Sequence, residues 1–278
     1  MEMIVTIWQA VVLGFVQGAT EFLPISSTAH LKVIPVLLGW GDPGVAFTAV
    51  IQLGSIGAVL GYFWQDLRQI TVGCGQAVRH QKYQTPEFRL ALGIGLGTMP
   101  IVVAGLAIKK FMPDFDNSPL RSLEAIATAS IVMALLLAVA EVVGKRQRHF
   151  HHLQIRDGLG MGLAQALALI PGVSRSGVTL TAGLLMDMDR QCATRFSFLL
   201  GIPAITLAGI VEAVGLFKGI DTDWIRLSVG LISSTIFSYG AIAWLLKFFQ
   251  THSSWWFVWY RLAFGISIWL AIWTRVVS

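Results

Sequence analysis

The sequence predicts an all-α integral membrane protein: six transmembrane helices plus two re-entrant helical hairpins, arranged as an inverted repeat. Three observations predict it. Of 278 residues, 55% are hydrophobic and only 13% charged, with a mean hydropathy of +0.70; a soluble domain carries about 25% charged residues. The charges cluster, leaving almost uncharged stretches at 45–64, 90–108, 122–140, 196–211, 227–246 and 262–274. Several of these approach the roughly 20 apolar residues needed to cross a ~30 Å hydrocarbon core. Two further apolar segments are broken by Pro, Ser and Gly. Strands of a membrane barrel would alternate over about ten residues, a pattern absent from this chain.

The elements follow in order. Residues 1–8 contain no Lys or Arg, and Gln9 and Gln17 interrupt the apolar run after them, so this start does not read as a cleavable signal peptide. The first broken segment is QGATEFLPISSTAHLKVIPVLLG, Gln17 to Gly39; the second is QALALIPGVSRSGVTLTAGLLM, Gln165 to Met186. Each has Gln, a hydrophobic-Pro pair, a Ser-rich turn and a short apolar helix ending in Leu-Leu. A loop with Asp follows (Asp42; Asp187 and Asp189), then a span opening near Phe47 or Phe196. The likeness divides a single membrane domain into repeats at 1–143 and 155–276, each a broken hairpin plus three spans. Three is odd, so the second repeat is upside down relative to the first.

Loop charges agree. Arg68, Arg79, Lys82, Arg89, Lys145, Arg146, Arg148, Arg156, Arg190, Arg195 and Lys247 fall on one side; Lys109, Lys110, Arg121, Lys218, Arg226 and Arg275 fall on the other. Eleven against six makes the first side cytosolic, with hairpin 17–39 entering from outside and hairpin 165–186 from the cytosol. The net charge of +5 and pI near 9.5 are thereby read as loop chemistry facing membrane lipids, with no nucleic acid partner. Trp40, Trp64, Trp224, Trp255 and Trp256 lie near span ends, where interfacial aromatics belong. The isolated Cys74 and Cys192 make no CxxC pair and predict no disulfide framework. The run Arg148-His149-Phe150-His151-His152 reads as a solvated cytosolic loop touching anionic lipid rather than a metal site.

The chemistry is expected where the hairpins break. Non-helical backbone is costly in lipid, so the breaks at 24–28 and 171–177 must line a protein or water-filled cavity. Each break opens a short helix with Ser26, Ser27, Ser174 and Ser176 as candidate caps, and helix starts favour anions. Arg175 adds a planar, permanently charged group suited to phosphate oxygens, and Gly172 and Gly177 allow close backbone approach. Ser27 and His30 share a helical face, so His30 is a candidate base for Ser27 or for a water. Glu21, the carboxylate of the first hairpin, is a candidate to hold a divalent cation or to orient His30 and a water. Plainer readings stand beside these: Ser26, Ser27 and Thr28 as caps, His30 as a hydrogen-bonded core histidine, Glu21 and Arg175 as a structural ion pair, Gln17 as packing, and Arg261 snorkelling to the interface.

QGATE followed by FLPISSTAH resembles the (Glu/Gln)-x-x-x-Glu region of undecaprenyl-diphosphate phosphatases of the bacitracin-resistance type, and PGVSRSG resembles their Pro-Gly-x-Ser-Arg-Ser-Gly signature. The similarity runs on through FTAVIQLGSIGAV and RFSFLLGIPA to Tyr260–Arg261, nearly the whole chain. It implies removal of the terminal phosphate of undecaprenyl diphosphate, recycling the lipid carrier for peptidoglycan and conferring bacitracin resistance. It implies a polyprenyl diphosphate lipid substrate and a divalent cation, Mg²⁺ or Ca²⁺, with Glu21 as metal ligand. It implies catalytic roles for Glu21, Ser27, His30 and Arg175, and substrate binding by Gln17, Ser26, Thr28, Ser174, Ser176 and Thr179. Gln17 stands where many relatives have Glu, which weakens any metal site needing two carboxylates here. The expected location is the bacterial cytoplasmic (inner) membrane, multi-pass, with the active site opening to the outer face, and a homodimer is allowed for. The rival reading is a transporter or flippase of a phosphorylated polyprenyl lipid, since inverted repeats with broken helices are also transporter architecture.

Overall fold

The computed structural model describes residues 5–41, 43–115, 118–216 and 223–275; Asp42 and Lys218 lie outside the described residues. Among these the regular elements are all helical: α1 (Ile7–Phe22), α2 (Ser27–Leu37), α3 (Val45–Tyr62), α4 (Trp64–Arg79), α5 (Pro86–Phe111), α6 (Leu123–Val143), α7 (Ile155–Ala166), α8 (Arg175–Leu185), α9 (Arg190–Leu216), α10 (Trp224–Phe248) and α11 (Trp255–Trp273), with short 3-10 turns between some of them. Local chemistry sets several starts. Thr6 and Gln9 form a capping box at α1, Thr85 caps α5 with Pro86 in its first turn, and Ser122 and Asp223 cap α6 and α10; each side chain satisfies a backbone N–H that a helix start leaves open.

Among the described residues, five helices are long and apolar enough to cross a membrane: α5, α6, α9, α10 and α11. A sixth span arises if α3 and α4, bent by 66°, are counted as one. The bend corrects one expectation. Arg68 and Arg79 are counted among the loop charges, but residues 64–79 form α4, a helix that carries both. Its charged and amide side chains alternate with Leu67, Ile70 and Val72 at helical spacing, the pattern of a helix at an interface. Large apolar side chains such as Val103, Leu106, Val142, Ile236 and Trp273 are exposed, an outer surface suited to lipid rather than water. Trp64, Trp224 and Trp256 are exposed at helix starts.

Small residues bring the helices together. Without a hydrophobic force between helices in lipid, close backbone approach supplies the packing energy. Gly14 and Gly18 of α1 abut Gly230, Ser233 and Ser234 of α10, while Gly158 and Gly162 of α7 abut Gly93 and Gly97 of α5. A methyl group at Gly14, Gly18, Gly97, Gly158 or Gly162 would strike backbone. Thus the first arm of each broken hairpin lies along a long helix of the other half, and α6 lies against α11. Beneath them a core of Phe22, Phe63, Phe196 and Phe198 fills the centre.

At the end rich in basic residues, Glu141 is buried and accepts hydrogen bonds from two nitrogens of Arg190. Arg148 makes a two-pronged contact with the buried Asp157, at 2.9 and 2.6 Å, and His149 pairs with Asp189. The stretch 148–152, expected to be solvated, is therefore partly structural: Arg148 and His149 are tied to the start of α7 and to the turn before α9.

Candidate active site

The two hairpin breaks meet. The first runs from Leu23 to Ser26 between α1 and α2; the second runs from Ile170 to Ser174, between the 3-10 turn Leu167–Leu169 and α8. Ser26 and Ser174 cap the short helices from nearly the same unusual backbone conformation, φ 75° and 72°. Their hydroxyls accept from the N–H groups of Ala29 (3.4 Å) and Gly177 (3.1 Å). Positive φ is disfavoured for a residue with a Cβ, and persists where surrounding contacts enforce it. Of the four serines named as cap candidates, these two are the caps. Ser27 and Ser176, freed from capping, turn to other partners.

Those partners bridge the hairpins. Ser27 Oγ donates to Glu21 Oε2 at 2.7 Å, Gln17 Nε2 donates to the same oxygen at 3.1 Å, and Arg175 donates to Glu21 Oε1 at 3.2 Å. Ser176 Oγ donates to the Leu23 carbonyl at 2.9 Å. Thr179 is fully buried; its hydroxyl lies 2.8 Å from the Arg175 carbonyl and 2.6 Å from Ser197 Oγ. Thr28 is exposed. The structure therefore gathers Gln17, Glu21, Ser27 and Arg175 into one polar cluster, with Ser26, Ser174 and Ser176 framing it and Thr179 beneath.

His30 is placed differently from the expectation. No hydrogen bond joins it to Ser27. Its Nδ1 lies 2.7 Å from the Ser26 carbonyl and its Nε2 2.7 Å from the Tyr260 hydroxyl, while its ring stacks on Phe264 at 4.3 Å. A carbonyl only accepts, so Nδ1 carries a proton, and in the neutral ring Nε2 accepts from the Tyr260 hydroxyl. Glu21, not His30, is the group within reach of the Ser27 proton.

Arg261 does not snorkel. Its side chain is 1% exposed and donates to the carbonyls of Pro24 (2.9 Å), Gly172 (2.7 Å), Val173 (3.1 Å) and Ser130 (3.3 Å). The guanidinium thereby satisfies backbone acceptors in both breaks, which no helix ladder can reach. Arg175, by contrast, keeps Nε and one terminal nitrogen buried with no hydrogen-bond partner among the described residues, and its guanidinium lies over the Phe22 ring at 5.7 Å. Buried N–H groups without acceptors beside two helix starts form a place for an anion. An open cavity of about 470 Å³ among Tyr62, Asp66, His149, Asp189 and Arg195 includes none of these residues.

Sequence reasoning missed Tyr260 as the partner of His30, and Ser55 as the partner of Gln17 (3.4 Å). Ser55 lies inside an apolar span, and a polar side chain at that depth was the signal available.

As to what a metal would find here, among the described residues no cluster of three His, Cys, Asp or Glu stands ready to hold an ion. Among the described residues, Glu21 is the carboxylate that Ser27 meets. A magnesium-sized cation takes one or two carboxylates and completes its shell with water and substrate phosphates, a donor set that Glu21 and a diphosphate would satisfy together.

Residues 10–267 match the family described as "Bacitracin resistance protein BacA". The undecaprenyl-diphosphatase of Trichormus variabilis is 67% identical over 264 residues, covering 94% of this chain and 82% of that protein. That of a Synechocystis species is 64% identical over 270 residues, covering 96% and 83%. That of Synechococcus elongatus is 63% identical over 274 residues, covering 98% and 95%.

Proposed function

The chain belongs to the bacitracin resistance protein BacA family, and on that premise we propose that it hydrolyses undecaprenyl diphosphate to undecaprenyl phosphate and inorganic phosphate. The observation that carries the reading is the 2.7 Å contact from Ser27 to Glu21 beside an Arg175 with two donor nitrogens to spare. Serine is a weak nucleophile at its own pKa and needs a base at hydrogen-bond distance. In the resting site Glu21 Oε1 accepts from Arg175. A diphosphate that takes Arg175 for itself frees Glu21 to accept the Ser27 proton. Ser27 Oγ then bonds to the terminal phosphorus as the bridging P–O bond breaks, and undecaprenyl phosphate leaves with that oxygen. Glu21 passes the Ser27 proton to the departing phosphate and then takes one from a water, which attacks the phosphoserine phosphorus. As the Ser27 Oγ–P bond breaks, Glu21 returns the proton to Ser27 and inorganic phosphate is released. Arg175 and the starts of α2 and α8 stabilise charge on the transferring group. His30, held between Ser26, Tyr260 and Phe264, shapes the turn that presents Ser27. Gln17 orients Glu21, and Ser26, Thr28, Ser174, Ser176 and Thr179 form or support the phosphate cradle. Glu21 would also hold the Mg²⁺ or Ca²⁺ that the reaction requires, whose contribution is to neutralise the diphosphate.

The finer architecture belongs to the same proposal: six spans, two re-entrant hairpins, and repeats 1–143 and 155–276 inverted in the bacterial cytoplasmic membrane, the site opening outward. It is supported by the matched capping of Ser26 and Ser174 and by the reciprocal packing of α1 on α10 and α7 on α5. Recycling the lipid carrier for the cell wall, and resistance to bacitracin, would follow from the reaction. The transporter reading is not favoured: transport requires an anion site but no serine held on a carboxylate, and the relatives are named as diphosphatases.

The test is phosphate release from undecaprenyl diphosphate by purified protein in detergent, where no second compartment exists. We expect turnover by the wild type and essentially none by a folded Ser27→Ala protein. An inactive wild type would overturn the assignment, and substantial turnover by Ser27→Ala would overturn the covalent route alone.

A further inference from the structure

Behind Glu21 a file of buried hydroxyls runs across three helices. Gln17 Nε2, which donates to Glu21 at 3.1 Å, also donates to Ser55 Oγ of α3 at 3.4 Å. Ser55 Oγ accepts from Ser238 Oγ of α10 at 2.8 Å and lies 3.1 Å from Ser234 Oγ. Ser234 in turn donates to the Ile51 carbonyl at 2.5 Å. Ser55, Ser234 and Ser238 are each 0% exposed and Gln17 is 2% exposed.

The direction of this file is determined by its far end. A carbonyl can only accept, so Ser234 spends its one proton on Ile51. Ser234 must therefore accept from Ser55, which spends its own proton there and turns its lone pairs toward Ser238 and Gln17. A lone pair at Ser55 requires an N–H from Gln17, so the amide presents its NH₂ end and not its oxygen. That same NH₂ end is the one within reach of Glu21. A flipped amide would set its oxygen against both the carboxylate and the Ser55 lone pair.

We propose that Ser55 is a positioning residue which, with its proton directed by Ser234, fixes the Gln17 amide so that it donates to Glu21. The inference rests on the reading of Glu21 as the group that takes the Ser27 proton. Three hydroxyls buried at the meeting of α1, α3 and α10 would also serve as interhelical ties, and the test separates the two roles. Orientation of Glu21 acts on the chemical step and passes through Gln17. A tie acts on stability and is indifferent to Gln17.

The experiment measures phosphate release from undecaprenyl diphosphate by purified wild type, Ser55→Ala, Gln17→Ala and the double variant, each monodisperse in detergent. Ser55→Ala removes one buried oxygen and adds no volume. We expect it to lower kcat about tenfold, the scale of losing an outer-shell partner, with KM unchanged. In the Gln17→Ala background the same change should cost less than about twofold, since coupled residues are not additive. Equal losses in both backgrounds, a rise in KM alone, or no loss would each overturn the proposal. If Ser55→Ala does not fold, Ser234→Ala decides, with a kcat loss that also vanishes without Gln17; a loss that persists overturns the proposal. An inactive wild type would instead defeat the phosphatase reading and this inference with it.

Discussion

Arg175 offers several nitrogen donors, of which Glu21 occupies one, and that surplus is the most informative property of any single residue in the chain. A structural ion pair would be expected to satisfy both partners; here the carboxylate is surrounded by donors while the guanidinium keeps two groups buried and idle. The planar fork matches two phosphate oxygens at once, which an ammonium does not. Arg175→Lys should keep the fold and lose about 10²–10³ in kcat/KM, the cost of removing a donor aimed at transition-state charge. Phosphate release by the folded variant checks this, and near-normal turnover would remove Arg175 from the phosphate site. The same scale explains His30, which shares a helical face with Ser27 yet turns its ring toward Tyr260 and Phe264 of α11.

The broken hairpins are stable only because something outside them supplies the hydrogen bonds their helices do not. Arg261 of α11 does so for both, binding Pro24 in one break and Gly172 and Val173 in the other. Arg261→Met keeps the volume and apolar stem but leaves these carbonyls without donors. Each buried orphan costs about 1–3 kcal/mol, so the loss should exceed about 3 kcal/mol. A fall of roughly 5–10 °C in the unfolding midpoint in detergent would follow; a midpoint within about 2 °C of wild type would show that water or lipid groups satisfy the breaks instead.

Orientation is a property of the whole molecule. The end where α6 finishes and α9 begins holds Arg148, Arg190 and Arg195, tied to Asp157, Glu141 and Asp66. The first hairpin lies toward the other end, where Lys32 donates to the Arg121 carbonyl just before α6. Excess basic charge stays cytosolic, so Thr28, exposed at the start of α2, should face outward. A Thr28→Cys protein with Cys74→Ser should react with an impermeant thiol reagent added to intact cells. Labelling only after permeabilisation would reverse the orientation and deliver substrate from the cytosol.

Much of this was legible from residue order alone, because hydropathy, helix-breaking residues and buried charge report on the solvent that surrounds each segment. The spans, the two breaks and the gathering of Glu21, Ser27 and Arg175 all belong to that class: each is costly in lipid unless used, and so stands out. The bend after Tyr62 that turns 64–79 into α4 did not stand out, since an amphipathic helix and a polar loop share a composition. Pairings across the fold were decided by tertiary structure. That Ser27 bonds Glu21 rather than His30, that Arg261 reaches both breaks and that Ser55 meets Gln17 all depend on which helices lie side by side. Helical spacing says which residues share a face; only the packing of α1, α3, α10 and α11, set by small residues such as Gly14, Gly18 and Gly230, determines what that face meets.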